Sequence, residues 1–134
     1  MIVSNEAFFK DIKEIIKTTD VKFKVKGASM WPFFKDGKTT VTLTKVEEIK
    51  RLEIYLFMFN DKHVLHRLIK IKGDNYIFKG DGLITKEIVK REDIIGRVKS
   101  YETKKEVSVN KFSYKLRVFL YRLLPRRIIL KVFK

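Results

Sequence analysis

Cysteine is absent from the 134 residues, which excludes disulfide bridges, thiolate metal sites and a cysteine nucleophile. A chain without it suits a reducing compartment, and a cytoplasmic location is expected. Proline occurs twice and glycine six times, and neither a low-complexity linker nor an internal repeat is visible. Long apolar runs are missing too. The uncharged stretches of the C-terminal segment, such as Val118–Tyr121 and Ile128–Leu130, fall far short of the ~20 residues that cross a bilayer. The N-terminus carries Glu6, Lys10, Asp11, Lys13 and Glu14 where a signal peptide needs an unbroken apolar stretch. The expectation is a soluble or surface-bound protein.

Apolar residues nevertheless make up 45% of the chain, with eleven Phe, five Tyr and one Trp, enough to build a core. The length is that of a single domain. Net charge is +15, and residues 111–134 hold eight Lys or Arg with no acidic residue. A basic segment of this kind calls for an anionic neighbour: phospholipid headgroups, nucleic acid or an acidic protein. Nucleic acid ranks last, because no aromatic-rich RNA signature or recognition-helix pattern accompanies the charge.

Phe8, Ile12, Ile15 and Ile16 recur at helical spacing after the capping candidates Ser4 and Asn5, which predicts an amphipathic helix over residues 5–18. From Val21 the period becomes two, with Val21, Phe23 and Val25 alternating against Lys22, Lys24 and Lys26. Further strands are predicted at Thr39–Thr44, Ile54–Asn60, Val64–Lys72, Tyr76–Lys79, Ile94–Tyr101 and Val107–Lys111, with turns at Asn60-Asp61, Gly73-Asp74-Asn75 and Gly80-Asp81-Gly82. Strands that follow one another without intervening helices argue for a mainly β, antiparallel domain. From Phe112 the pattern is helical again, up to a break at Pro125. Lys111, Lys115, Arg122 and Arg126 share one stripe of that helix, and Leu116, Phe119, Leu120, Leu123 and Leu124 fill much of the rest. Two readings stay open: a membrane-interfacial helix, or one docked on the domain with a solvated basic side. The layout is one single-domain unit, with 1–20 as an N-terminal helix, 21–110 as the β-rich core and 111–134 as the basic helix.

Residues 27–38, GASMWPFFKDGK, hold one serine in a stiff apolar turn. Gly27 permits unusual dihedrals, Ala28 leaves room and Pro32 rigidifies the exit, so backbone N–H groups near Ser29 can point at a developing oxyanion. Taken alone, a serine in such a place is more often a turn residue. The two histidines, His63 and His66, are three apart and on a strand project to opposite faces, so neither a shared metal site nor a cofactor is expected. His66 by itself also reads as an ordinary packed histidine.

The combination reads differently. GASMWPFFKDG, then VLHRLIKI from Val64, FKGDG from Phe78 and DIIGRV from Asp93, occur in the order and at about the spacings of the type I signal peptidase and LexA-like serine peptidase superfamily (S24/S26). The chain resembles that superfamily over residues 21–101, and His66-Arg67 resembles its His-type branch. The resemblance implies a LexA/signal-peptidase-like β-ribbon fold, Ser29 as nucleophile, His66 as general base and Asp81 as the acid that orients the imidazole. Glu87 stands where that branch often has a second aspartate, and is the alternative to Asp81. Met30 and Trp31 are candidates to line the substrate groove. Gly37-Lys38 replaces the usual Gly-Asp, and Leu52-Glu53-Ile54 the usual Gly-Asp-Ile, so altered turn geometry is expected at both places. The short form without a membrane anchor points to removal of a leader or signal segment from a peptide or protein substrate. The alternative is an inactive peptide-binding module of the same fold. A peripheral contact with an anionic membrane through the C-terminal helix is the other partner expected.

Overall fold

In the computed structural model, which describes residues 11–123, eight strands follow one another: β1 (Val21–Lys24), β2 (Thr40–Thr44), β3 (Ile54–Phe59), β4 (Lys62–Lys72), β5 (Asn75–Lys79), β6 (Lys86–Val89), β7 (Ile94–Glu102) and β8 (Glu106–Ser108). Helix α1 (Ile12–Ile15) precedes them and α2 (Phe112–Leu123) follows. All pairings are antiparallel, in the spatial order β1-β2-β7-β3-β4-β5-β6, with β8 added to β7. The mainly β, antiparallel architecture with a C-terminal helix is the one the sequence predicts.

Turn chemistry sets the hairpins. Asn60 and Asp61 adopt φ of 50° and 62°, as a tight turn matched to right-handed strand twist requires, and join β3 to β4. Gly73, at φ 59°, does the same between β4 and β5. Register shifts at Thr42/Leu43, Leu56/Phe57 and Leu68/Lys70 bend the strands, and the sheet curls.

Both faces of the curled sheet are covered. Ile54, Leu56 and Leu65 face one core, shared with Val41, Leu43, Val98 and the buried Ile12, Ile16, Tyr114 and Val118 of the N- and C-terminal segments. Tyr55, Phe57, Val64, Leu68, Phe78, Val89 and Ile94 form a second core on the opposite face. This double burial explains why β3 reads as the unbroken apolar run IYLFMF. The helix predicted over 5–18 is helical over Ile12–Ile15 within the described residues, and its first part lies outside them. The break expected at Pro125 lies outside them as well. Among the described residues no helix is long and apolar enough to cross a membrane.

β7 is the hinge of the sheet, pairing with β2 along one edge and with β3 and then β8 along the other. Gly96 makes this possible. A Cβ there would sit 2.7 Å from Leu43 Cδ2 and 3.3 Å from the Thr44 carbonyl oxygen. Gly96→Ala is therefore expected to lower unfolding stability by about 1–3 kcal/mol through overpacking, read as a lower urea midpoint. An unchanged midpoint would show that this junction is loosely packed.

Candidate active site

The loop from Lys26 to Thr39 is closed by its own backbone. Gly27, at φ 88°, donates its N–H to Asp36 Oδ1 (2.8 Å), and Gly37, at φ 67°, donates to the Val25 carbonyl (3.0 Å). Lys38 and Thr39 both donate to the Lys35 carbonyl, at 3.1 and 3.0 Å, and Lys35 N–H donates to Thr39 Oγ1 (2.7 Å). None of these closing bonds uses the side chain of Lys38. Inside the loop Met30, Phe33 and Phe34 are buried in the first core. Burying each contributes roughly 1.5–3 kcal/mol, so the loop is a plug with Ser29 at its lip, half-exposed.

Strand β4 supplies the rest through alternation. His66 lies on the second-core face with Val64 and Leu68, against the Phe57 ring at 6.2 Å between centroids. On the same face Leu68, Phe78 and Glu87 form one row across β4, β5 and β6. The curl brings these positions together with the plug. His66 Nε2 lies 3.3 Å from Ser29 Oγ, and His66 Nδ1 lies 2.5 Å from Glu87 Oε1. An ionised carboxylate only accepts hydrogen bonds, so Nδ1 is the protonated nitrogen and the Nε2 lone pair is left facing the serine. Burial pushes the imidazole pKa below its ordinary value, with the bond to Glu87 working against it, which favours the neutral ring.

Asp81 is not behind His66. The next residue along β4, Arg67, points to the opposite face and takes both Asp81 oxygens, Nε to Oδ1 at 2.8 Å and Nη2 to Oδ2 at 2.7 Å. Strand alternation is the physical reason, since neighbours on β4 cannot share one carboxylate across the sheet. Arg67 Nη1 also donates to the Leu52 carbonyl (2.7 Å) and to Tyr114 Oη (3.0 Å), and the Tyr121 hydroxyl donates to the Asp81 carbonyl. Asp81 thus belongs to a buried clamp joining β4, the Gly80-Asp81-Gly82 turn and α2.

That turn presses on the serine plug. Gly82 N–H donates to the Ser29 carbonyl at 2.7 Å, and Asp81 N–H reaches Met30 Sδ at 3.4 Å. A Cβ at Gly80 would lie 2.6 Å from the Ser29 carbonyl oxygen and 3.0 Å from His66 Nε2, so only glycine allows this approach. Beside Ser29, His66 and Glu87 opens a cavity of about 660 Å³, lined further by Lys26, Phe59, Lys62, Val64 and Leu83. Met30 is wholly buried and, like Trp31, does not line it, contrary to the expectation for both. Among the described residues no three His, Asp or Glu side chains converge as a metal site requires.

From the sequence alone Glu87 is only a substitute for Asp81, and Arg67, Tyr114 and Tyr121 do not stand out as clamp members. Their signal is the alternation of β4, which separates His66 from Arg67. Removing Asp81 would leave the Arg67 charge buried and unpaired. Asp81→Ala is thus expected to cost about 3–5 kcal/mol of unfolding stability, whereas Glu87→Gln, which keeps shape and an acceptor, costs about 1 kcal/mol or less. Equal losses in urea unfolding would contradict this division of roles.

No curated protein matches the chain. A family model described as Peptidase S24-like matches residues 3–99. That span takes in Ser29, His66, Asp81 and Glu87 together with every strand up to most of β7, and by it the chain belongs to the Peptidase S24-like family.

Proposed function

We propose that the protein is a serine endopeptidase of the His-type branch, cleaving a leader or signal segment from a peptide or protein substrate, with Ser29 as nucleophile, His66 as general base and Glu87 as the orienting carboxylate. The observation that carries the reading is the continuous line Ser29 Oγ, His66 Nε2, His66 Nδ1, Glu87 Oε1, assembled from three separate segments at the wall of one cavity. A serine hydroxyl needs an adjacent base to attack at neutral pH, and a third group that fixes the base's tautomer completes the arrangement.

His66 Nε2 takes the Ser29 proton as Oγ bonds to the substrate carbonyl carbon, and the protonated imidazole then delivers that proton to the leaving amine. Water hydrolyses the acyl-enzyme with His66 again as base. Among the described residues the Ser29 N–H has no hydrogen-bond partner, while its carbonyl is pinned by Gly82, so this N–H is the candidate oxyanion donor. The Ser29–His66 separation of 3.3 Å suits a resting site that tightens when substrate enters. Both end strands of the sheet border the cavity: β1 leads into Lys26–Ser29, and β6 carries Glu87. An extended peptide pairing with such an edge is held by main chain, with alternate side chains read in the cavity.

Labelling by a serine-directed phosphonate, with the site mapped by mass spectrometry, tests the nucleophile, and digestion of a mixed peptide library tests turnover. Wild type should be labelled at Ser29 and should cut peptides. Ser29→Ala should abolish both, and Glu87→Gln should slow cleavage by roughly 10³–10⁴-fold with the fold intact. Absence of both labelling and cleavage would favour the inactive peptide-binding module. Labelling elsewhere would overturn the assignment.

The pH profile follows from the direction of the His66 shift. The base must be neutral, and its pKa lies below the ordinary histidine value of about 6.5. Cleavage should therefore be level through neutrality and decline only as pH falls through a midpoint under that value. A midpoint above it would contradict the buried, neutral imidazole.

A further inference from the structure

Docking of α2 uses one face of the helix, through the buried Tyr114 and Val118 and the half-buried Tyr121. The opposite side keeps an apolar stripe in solvent. Phe112, Leu116, Phe119, Leu120 and Leu123 are exposed at 78, 43, 55, 42 and 64%, and their spacing places them on one side of the helix, across from the docking residues. Lys111, Lys115 and Arg122 fall between the two faces along one flank, and Arg117 lies along the other, over the Phe33 ring.

The cationic flank continues onto the domain. A cleft of about 250 Å³ beside α2 is lined by Lys50, Arg51 and Lys115, with Glu53 as its acidic member. Glu53 is already engaged, by Arg97 at 3.7 Å and by the Tyr55 hydroxyl at 3.1 Å. Burial lowers the Arg122 pKa, and the like charges of Arg51 and Arg67 lower it further against the partial offset of Asp81, whose carboxylate is already bonded to Arg67. Beyond Leu123 the sequence adds four more Lys or Arg and no acid.

We propose that the outer face of α2 lies in the headgroup layer of an anionic membrane, with the Phe112–Leu123 stripe among the acyl chains and Lys111, Lys115 and Arg122 paired with lipid phosphates. An apolar stripe bordered by cations is the form that interfacial helices take, and anionic lipid supplies the counter-charge that the flank lacks. A second copy of the chain is disfavoured, because it would bring the same cations together. The proposal requires no catalysis and is independent of the assignment of Ser29.

Co-sedimentation of the full chain with vesicles of phosphatidylcholine alone, or with an equal share of phosphatidylglycerol, tests it. The protein should bind only the anionic vesicles, and less as salt is raised above ~150 mM. Phe119→Asp with Leu123→Asp should weaken binding at least about tenfold, as should Lys115→Glu with Arg122→Glu. Urea midpoints check that each variant remains folded. Absence of binding to anionic vesicles, or equal binding by folded variants, would overturn the proposal. So would a dimer in light scattering that the Phe119 and Leu123 substitutions dissolve while lipid binding is absent, which assigns the stripe to a second copy.

Discussion

The guanidinium of Arg67, 1% exposed, is held from four directions: two bonds to Asp81, one to the Leu52 carbonyl, one to Tyr114, and the face of Phe33 at 5.2 Å. A charge taken out of water costs several kcal/mol, so such a group is tolerated only when its partners arrive together. Each partner belongs to a different part of the chain. The clamp therefore fixes the entry to β3, the Gly80–Gly82 turn, the plug and α2 against β4. It also accounts for Leu52, which stands where glycine is usual and adopts φ 75°. That conformation costs a non-glycine residue about 1–2 kcal/mol, and here the Leu52 carbonyl accepts from Arg67 while its N–H donates to the Leu68 carbonyl.

From the clamp the geometry passes to the site in one step of backbone. Asp81 is flanked by Gly80 and Gly82, which approach the Ser29 carbonyl and the His66 ring more closely than any side chain permits. On β4 the residues His66 and Arg67 each take a carboxylate, on opposite faces. A register slip of one residue would exchange those faces and place the guanidinium where the imidazole lies. The carboxylates of Asp81 and Glu87 are thus kept apart by strand alternation, one paired with Arg67 and the other with His66.

Much of this was legible in the sequence. Alternation in Val21–Lys26 and the turn residues at Asn60-Asp61 and Gly73-Asp74 mark strands and hairpins, and Gly27 and Pro32 mark a stiff turn around Ser29, but not the burial of Met30, Phe33 and Phe34 that makes it a plug. Strand β6 was not visible, because Glu87 and Val89 face inward while Ile88 is 60% exposed, which inverts the pattern that signals a half-buried strand. Missing β6 meant missing its contact with β5, and so the placement of Glu87 beside His66. Asp81 drew attention instead because its turn stands out in sequence, whereas its partner Arg67 becomes evident only when the faces of β4 are assigned. For α2 the docked face is seen in Tyr114, Val118 and Tyr121, while the exposed Leu and Phe residues leave the membrane-interfacial reading as a proposal.

The central claim is that Glu87 fixes His66 as the Nδ1–H tautomer with its Nε2 lone pair toward Ser29. Imidazole ¹⁵N NMR tests it most directly, because the chain has only two histidines and a His63→Gln variant isolates the ring of interest. The account predicts an Nδ1-protonated neutral ring with a low-field proton resonance that disappears in Glu87→Gln. An Nε2-protonated ring, or a resonance indifferent to Glu87→Gln, would contradict it.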